Sequence, residues 1–325
     1  MAFKRESQAF STNISKLSFG GDGKEVVLGG ENILPFYTFD SGAGSDSGAE
    51  CNASTGYRPK IGVAISDLGY KKGIPGIEEY YAGAGSVVEM AKRAAAMPGA
   101  DFLVICLDGA HPNNGDKPVE ECAALIREIT EAVDFPVAVA GCNHIEKDSM
   151  LLEKVAEAAQ GKNILILSAH EENYKVIAAA AALAYGQNIA AESAVDINLA
   201  KQLNVLINLM GVKPEKTAMN LGSAAGGYGF EYVASTMERV KLAALSQDDA
   251  MLKMPIITPV FSETWAVKES VASQEDYPEW GCAEARGVNL EISTAAACLA
   301  AGSNAVILCH PDSVRTVSAM IDGLV

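Results

Sequence analysis

Four histidines, His111, His144, His170 and His310, each follow closely on a short apolar run of the chain. Asp67, Asp108, Asn143, Asn173, Asp196, Asn198 and Glu263 are placed in the same way. Side chains of these types act as general acids and bases, as metal ligands, or as hydrogen-bonding contacts to a polar ligand. Taken singly, each also reads as a loop cap or a satisfied core hydrogen bond. Three reactions are disfavoured by what is missing. A Schiff-base aldolase needs a lysine in a desolvated strand position, and none of the apolar runs contains one. Zinc hydrolysis needs closely spaced ligands, and Cys142-x-His144 and the adjacent pair Cys309 and His310 are the nearest approaches. The G-x-S-x-G nucleophile elbow does not occur. The stretch Gly222–Gly229 contains Ser223, Gly226, Gly227 and Tyr228 and leads into a helical pattern. Its glycines allow close backbone approach to a ligand, although barrel phosphate sites usually follow later strands.

The apolar runs that position these residues are Ile61–Ser66, Phe102–Gly109, Pro136–Cys142, Asn163–Ala169, Asn188–Ala194, Thr217–Gly222, Pro255–Val260 and Ala305–His310. They are apolar throughout rather than alternating, as parallel strands covered on both faces are. Helical patterns separate them, at Ser86–Met97, Val119–Val133, Ser149–Gln160, Glu172–Tyr185, Asp196–Met210, Phe230–Ser246, Glu284–Ala301 and Asp312–Leu324. Eight strand–helix units in strict alternation predict a closed (β/α)8 TIM barrel, residues 59–325. An open doubly wound sheet lacks its G-x-G-x-x-G signature here. Residues 1–58 form an N-terminal extension. In it, Glu25–Gly30 and Leu34–Phe39 read as a β-hairpin that plugs one end of the barrel. Asp40–Gly56, rich in Gly, Ser, Asp and Ala, reads as a flexible loop. In a barrel, the chemistry-bearing residues gather at the C-terminal strand ends.

Among 325 residues, 25 Lys and Arg against 41 Asp and Glu give a net charge of −16. That balance opposes nucleic-acid binding, which needs clustered cations. With 49% hydrophobic residues the chain can bury a core, yet no stretch is long enough to span a membrane. The N-terminus has no signal-peptide apolar core, and a cytoplasmic location is expected. Seven cysteines without any C-x-x-C predict free thiols and no iron–sulfur cluster in this chain.

Several local runs together carry a family resemblance. They are Gly29–Phe36, Leu107–Ala110, Gly141 and Cys142 with Glu146–Asp148, Glu172–Lys175, and Asp196–Asn198 with Lys201–Asn204. Gly227–Tyr232 with Met237–Arg239, Trp265, Trp280 with Gly281, and His310 with Pro311 complete the set. In this order the chain resembles the small subunit of the corrinoid iron–sulfur protein and, more distantly, the archaeal acetyl-CoA decarbonylase/synthase delta subunit. It departs from that pattern in the Asp40–Gly56 insertion, in His111, and in Asn220 where an aspartate is usual.

The resemblance implies a methyl carrier of the reductive acetyl-CoA pathway. Its barrel mouth covers a corrinoid (cobamide) whose tail is held by a larger, iron–sulfur-bearing subunit. A methyltetrahydrofolate methyltransferase loads the methyl group and CO dehydrogenase/acetyl-CoA synthase receives it. A corrin is an apolar disc fringed with amides, so its cover should offer polar edges around apolar contacts. The implied contacts are Asp108, His111, Asn143, His144, Asn173, Asp196, Asn198, Ser223, Gly226, Gly227, Tyr228 and His310. Asp108-x-x-His111 is one residue longer than the D-x-H-x-x-G of proteins that ligate cobalt through histidine, so His111 reads as a hydrogen-bonding group. The alternative is a methyltransferase that binds a pterin itself, with Asp108, Asn143 and Asp196 on the pterin edge.

Overall fold

A computed structural model describes residues 9–21, 23–34, 56–71 and 73–323. An antiparallel hairpin of β1 (Leu17–Gly21) and β2 (Lys24–Leu28) precedes eight parallel strands. These are β3 (Lys60–Ser66), β4 (Phe102–Cys106), β5 (Val137–Ala140), β6 (Leu165–Ala169), β7 (Asn188–Glu192), β8 (Thr217–Asn220), β9 (Ile257–Thr258) and β10 (Ala305–Leu308). The sheet runs β8-β7-β6-β5-β4-β3-β10-β9. A single parallel bridge between Met219 and Ile256 joins its two edges, with the Met219 N–H donating to the Pro255 carbonyl at 2.8 Å. The result is a (β/α)8 barrel. All eight expected runs are strands, because residues such as Ile61, Val63, Leu103, Ile105, Val139, Ile166 and Ile307 are sealed on both faces.

The helices are α1 (Ile77–Tyr81), α2 (Val87–Ala95), α3 (Val119–Ala132), α4 (Ile145–Ala158), α5 (Tyr174–Ile177), α6 (Ile197–Leu209), α7 (Phe230–Ser246), α8 (Val260–Thr264), α9 (Lys268–Val271), α10 (Ala283–Ala301) and α11 (Pro311–Asp322). Side-chain caps set several starts: Ser86 for α2, His144 for α4, Asp196 for α6 and His310 for α11. The His144 cap starts α4 four residues before the expected Ser149. Within the expected helix Glu172–Tyr185, α5 passes into a π-helix over Ala178–Ala184. Small α1, α8 and α9 are additions within loops, too short to show a helical period.

The hairpin is displaced from its expected place. Its strands are Leu17–Gly21 and Lys24–Leu28, not Glu25–Gly30 and Leu34–Phe39. Leu17, Phe19, Val26 and Leu28 are buried, which fixes the register, and left-handed Gly29 and Gly30 (φ 84° and 88°) end β2. Ile33 instead bridges Ala9, and residues 35–55, with most of the expected second strand and the Asp40–Gly56 loop, lie outside the described residues. The hairpin does close the N-terminal end of the barrel. Phe19 meets Phe102 edge to face at 5.3 Å, and the Gly20 N–H donates to Asn163 O at 2.8 Å.

Candidate functional site

At the opposite end a cavity of about 1070 Å³ opens among the loops after the strands. Strand residues Val104, Ala140, Leu167, Ile257 and Ile307 form its apolar floor. Its walls carry Ser66, Asp108, His111, Asn114, Asn143, Asp148, Ser168, His170, Glu192, Asn220, Ser262 and Glu263, with Leu68, Pro259 and Phe261 as apolar contacts. Lys71 is the lysine among the lining residues.

Most rim loops are pinned by a side-chain oxygen that accepts loop backbone N–H groups. After β3 and β4, buried Asp67 accepts the Gly109 N–H at 2.8 Å and pairs with Lys117 at 3.0 Å. Gly109 leaves room for this, since a Cβ there would strike the Asp67 carboxylate. After β5, Asp148 accepts the N–H groups of Cys142 (2.7 Å) and His144 (3.2 Å), and lets Asn143 adopt a left-handed φ of 63°. After β6, Asn173 accepts the His170 N–H at 2.8 Å. After β8, Asn220 accepts the Gly222 N–H at 3.0 Å. Behind β10, Glu291 accepts the N–H groups of Cys309 (3.0 Å) and His310 (3.3 Å). Satisfied backbone groups hold the rim before any ligand arrives.

One wall is a side-chain network. The Asn220 amide donates to Glu192 at 2.9 Å and to Ser168 at 3.2 Å. His170 Nε2 lies 3.8 Å from Glu192. An aspartate at position 220 would set a second carboxylate against Glu192 and demand a shared proton, so the amide keeps this wall free of that repulsion. Two cysteines line the cavity, and both thiols are held protonated. Burial pushes Cys106 well up, and burial with a hydrogen bond to Asp148 pushes Cys142 up to about 12. Among the described residues, no three His, Cys, Asp or Glu side chains converge as a metal-binding group.

Of the residues singled out in the sequence, Asp108, His111, Asn143, His170 and Glu263 line the cavity. His144 stands behind His111, ring to ring at 5.8 Å and 85°. Asn173 is buried under the His170 turn. Asp196 caps α6 by accepting from Asn198 and Leu199, and both Asp196 and Asn198 are exposed away from the lining. In the glycine loop, Gly226 N–H donates to Thr294, Gly227 is exposed, and the Tyr228 hydroxyl donates to Glu269 at 2.6 Å. The Ser223 hydroxyl is buried and without a partner among the described residues. His310 is buried against Trp265, with ring centroids 5.9 Å apart, and not on the lining. The lining residues missed, Ser66, Asn114, Asp148, Ser168, Glu192 and Ser262, carry ordinary strand or loop types. Position at a C-terminal strand end could have marked Ser66, Ser168 and Glu192, whereas Asn114 lies in a turn and Asp148 and Ser262 lie in helices, where no such signal exists.

Fold and site together define a (β/α)8-barrel protein with a preorganised, hydrogen-bonding mouth at its C-terminal face. The sequence model of the CO dehydrogenase/acetyl-CoA synthase delta subunit matches residues 16–279. The acetyl-CoA decarbonylase/synthase complex subunit delta 1 of Methanosarcina thermophila is 32% identical over 313 residues, 94% of this chain and 67% of that protein. Subunit delta of Archaeoglobus fulgidus is 30% identical over 305 residues, 92% of this chain and 64% of that protein. The chain belongs to the CO dehydrogenase/acetyl-CoA synthase delta subunit family. Among solved structures, the dihydropteroate synthase of Coxiella burnetii in complex with pteroic acid superposes with a TM-score of 0.52 at 10% identity, over 81% of this chain and 92% of that one. That of Xanthomonas albilineans gives 0.51 at 13% identity, over 82% and 93%. These likenesses show the barrel fold.

Proposed function

We propose that this barrel is the covering subunit of a corrinoid methyl carrier within an acetyl-CoA decarbonylase/synthase-type assembly. A larger subunit bearing an iron–sulfur cluster holds the tail of the cobamide, and the ring lies between that subunit and the barrel mouth. The methyl group comes from methyltetrahydrofolate through a methyltransferase and passes to CO dehydrogenase/acetyl-CoA synthase. Bound there, a cobamide supplies the cobalt nucleophile that accepts and yields the methyl group.

The observation that carries this reading is the lining of the mouth, which sets polar groups around apolar contacts as an amide-fringed disc requires. Asn114, Asn143, Ser262 and Glu263 offer donors and acceptors at its edge, and Leu68 and Phe261 offer apolar contact. The loops that carry Asp108, His111 and Asn143 are fixed by Asp67 and Asp148, so ordering them costs little on binding. The chain's part is to orient the ring and exclude water and oxidants from its face.

Co-expression with the larger subunit tests the proposal. The expected result is a corrin absorbance that co-purifies with the pair and is absent from the barrel prepared without the larger subunit. Tight methyltetrahydrofolate binding by the isolated barrel, with no corrin in the pair, would instead make it a pterin-dependent methyltransferase.

A further inference from the structure

Asp108–Ala110 form a 3-10 turn that is closed by the His111 N–H donating to Asp108 O at 3.2 Å. In 3-10 geometry the side chains at i and i+3 eclipse, so Asp108 and His111 share one side of the turn. Both line the cavity. The turn is braced from below by Asp67, through the Gly109 N–H and Lys117.

The two side chains present opposite polarity. His111 Nδ1 accepts the Asn113 backbone N–H at 3.0 Å. A nitrogen that accepts from an amide carries no proton, so the neutral ring holds its proton on Nε2 and shows a donor to the cavity. Ligation of a metal through Nε2 would need the other tautomer and would leave the Asn113 N–H without its acceptor. Asp108 has an acceptor-only carboxylate on the cavity lining, and the hydrogen bonds it accepts from the His111 N–H and the Asn114 amide go to its backbone oxygen. An acceptor and a donor side by side match a group that carries a donor and an acceptor side by side.

We propose that Asp108 and His111 together recognise a primary carboxamide, Asp108 accepting from its nitrogen and His111 Nε2–H donating to its oxygen. This rests on the covering-subunit reading, which supplies the carboxamides as side arms of the ring. An Asn or Gln side chain of the larger subunit has the same chemistry, and its capture by the turn in place of a ring arm is an outcome that would overturn the proposal.

The test uses the co-expressed pair, depleted of corrinoid and reloaded either with cobalamin or with its monocarboxylates, in which one arm amide is hydrolysed to a carboxylate. Against at least one monocarboxylate the native pair should prefer cobalamin by about tenfold, because that carboxylate meets Asp108 without a donor. Asp108→Asn should reduce this preference to within about threefold, since an amide can serve either arm. His111→Phe should weaken retention of cobalamin, and His111→Gln, whose side-chain N–H2 replaces Nε2–H, should restore it. Nitrogen-15 NMR of histidine-labelled protein should show the Nε2–H tautomer at His111. Unchanged discrimination in Asp108→Asn, or an Nδ1–H tautomer, overturns the proposal while a native pair that retains corrin leaves the covering-subunit reading standing. Variants that loosen the subunit pair without altering arm preference also overturn it, and assign the turn to a partner side chain. A native pair that takes up no corrinoid overturns both.

Discussion

The Asp148 carboxylate accepts the backbone N–H of Cys142 at 2.7 Å, tying the first turn of a helix to the loop that precedes it. Its second oxygen accepts the His144 N–H at 3.2 Å, so one side chain shapes the whole turn carrying Asn143. The cavity therefore rests on residues whose role is to accept from backbone rather than from ligand.

Replacing Asp148 by Ala should leave two loop N–H groups without an acceptor. Stability should fall by about 1–3 kcal/mol in urea unfolding. Hydrogen exchange should quicken at Cys142 and His144 while β5 stays protected. Equal exchange in variant and native protein would mean that the loop is held by other means.

At the other end of the barrel, Lys241 pairs with Glu31 at 2.5 Å and with Asn304 at 2.7 Å, all three side chains being buried. Breaking the pair alone, with Lys241→Met, should cost about 3–5 kcal/mol because it strands a buried carboxylate. Adding Glu31→Leu should recover much of that loss. A double variant no more stable than the single would show that the ion pair itself, and not the stranded charge, sets the cost.

Glu291 is wholly buried, and burial raises its carboxyl above the ordinary glutamate range despite the N–H groups that it accepts. A raised folded value means that the folded protein holds the proton more tightly than the unfolded chain. Its contribution is therefore full below the ordinary glutamate pKa of about 4.3 and is lost as pH rises through the raised value. The difference in unfolding free energy between native protein and Glu291→Gln should change over that window and be flat below it. A difference that changes only below the ordinary value would reverse the sign.

Cys282 is exposed at the start of α10, whereas Cys106, Cys122, Cys142, Cys298 and Cys309 are buried. Burial pushes the Cys298 thiol up to about 12, and the other four upward as well. Brief iodoacetamide treatment at pH 8 followed by peptide mapping should label Cys282 and spare these five. Labelling of Cys106 or Cys142 at a similar rate would show that the barrel floor opens to solvent.

The eight strands and their order around the ring were legible in the sequence because buried parallel strands are apolar on both faces, as in Leu103–Ile105 or Leu165–Leu167. The capping of α6 by Asp196 followed equally from local chemistry. What depended on folding was which polar group faces the mouth and which serves a loop. His111 and His310 follow strands in the same way, yet one lines the cavity and the other lies under Trp265, because α8, which ends at Trp265, packs against β10. Ser168 and Asn220 sit 52 residues apart and meet only when β6 and β8 flank β7. The hairpin register likewise waited on the barrel floor that buries Phe19 against Phe102. Periodicity is a property of neighbours along the chain, whereas a site is made by residues that are distant in it, and only packing brings those together.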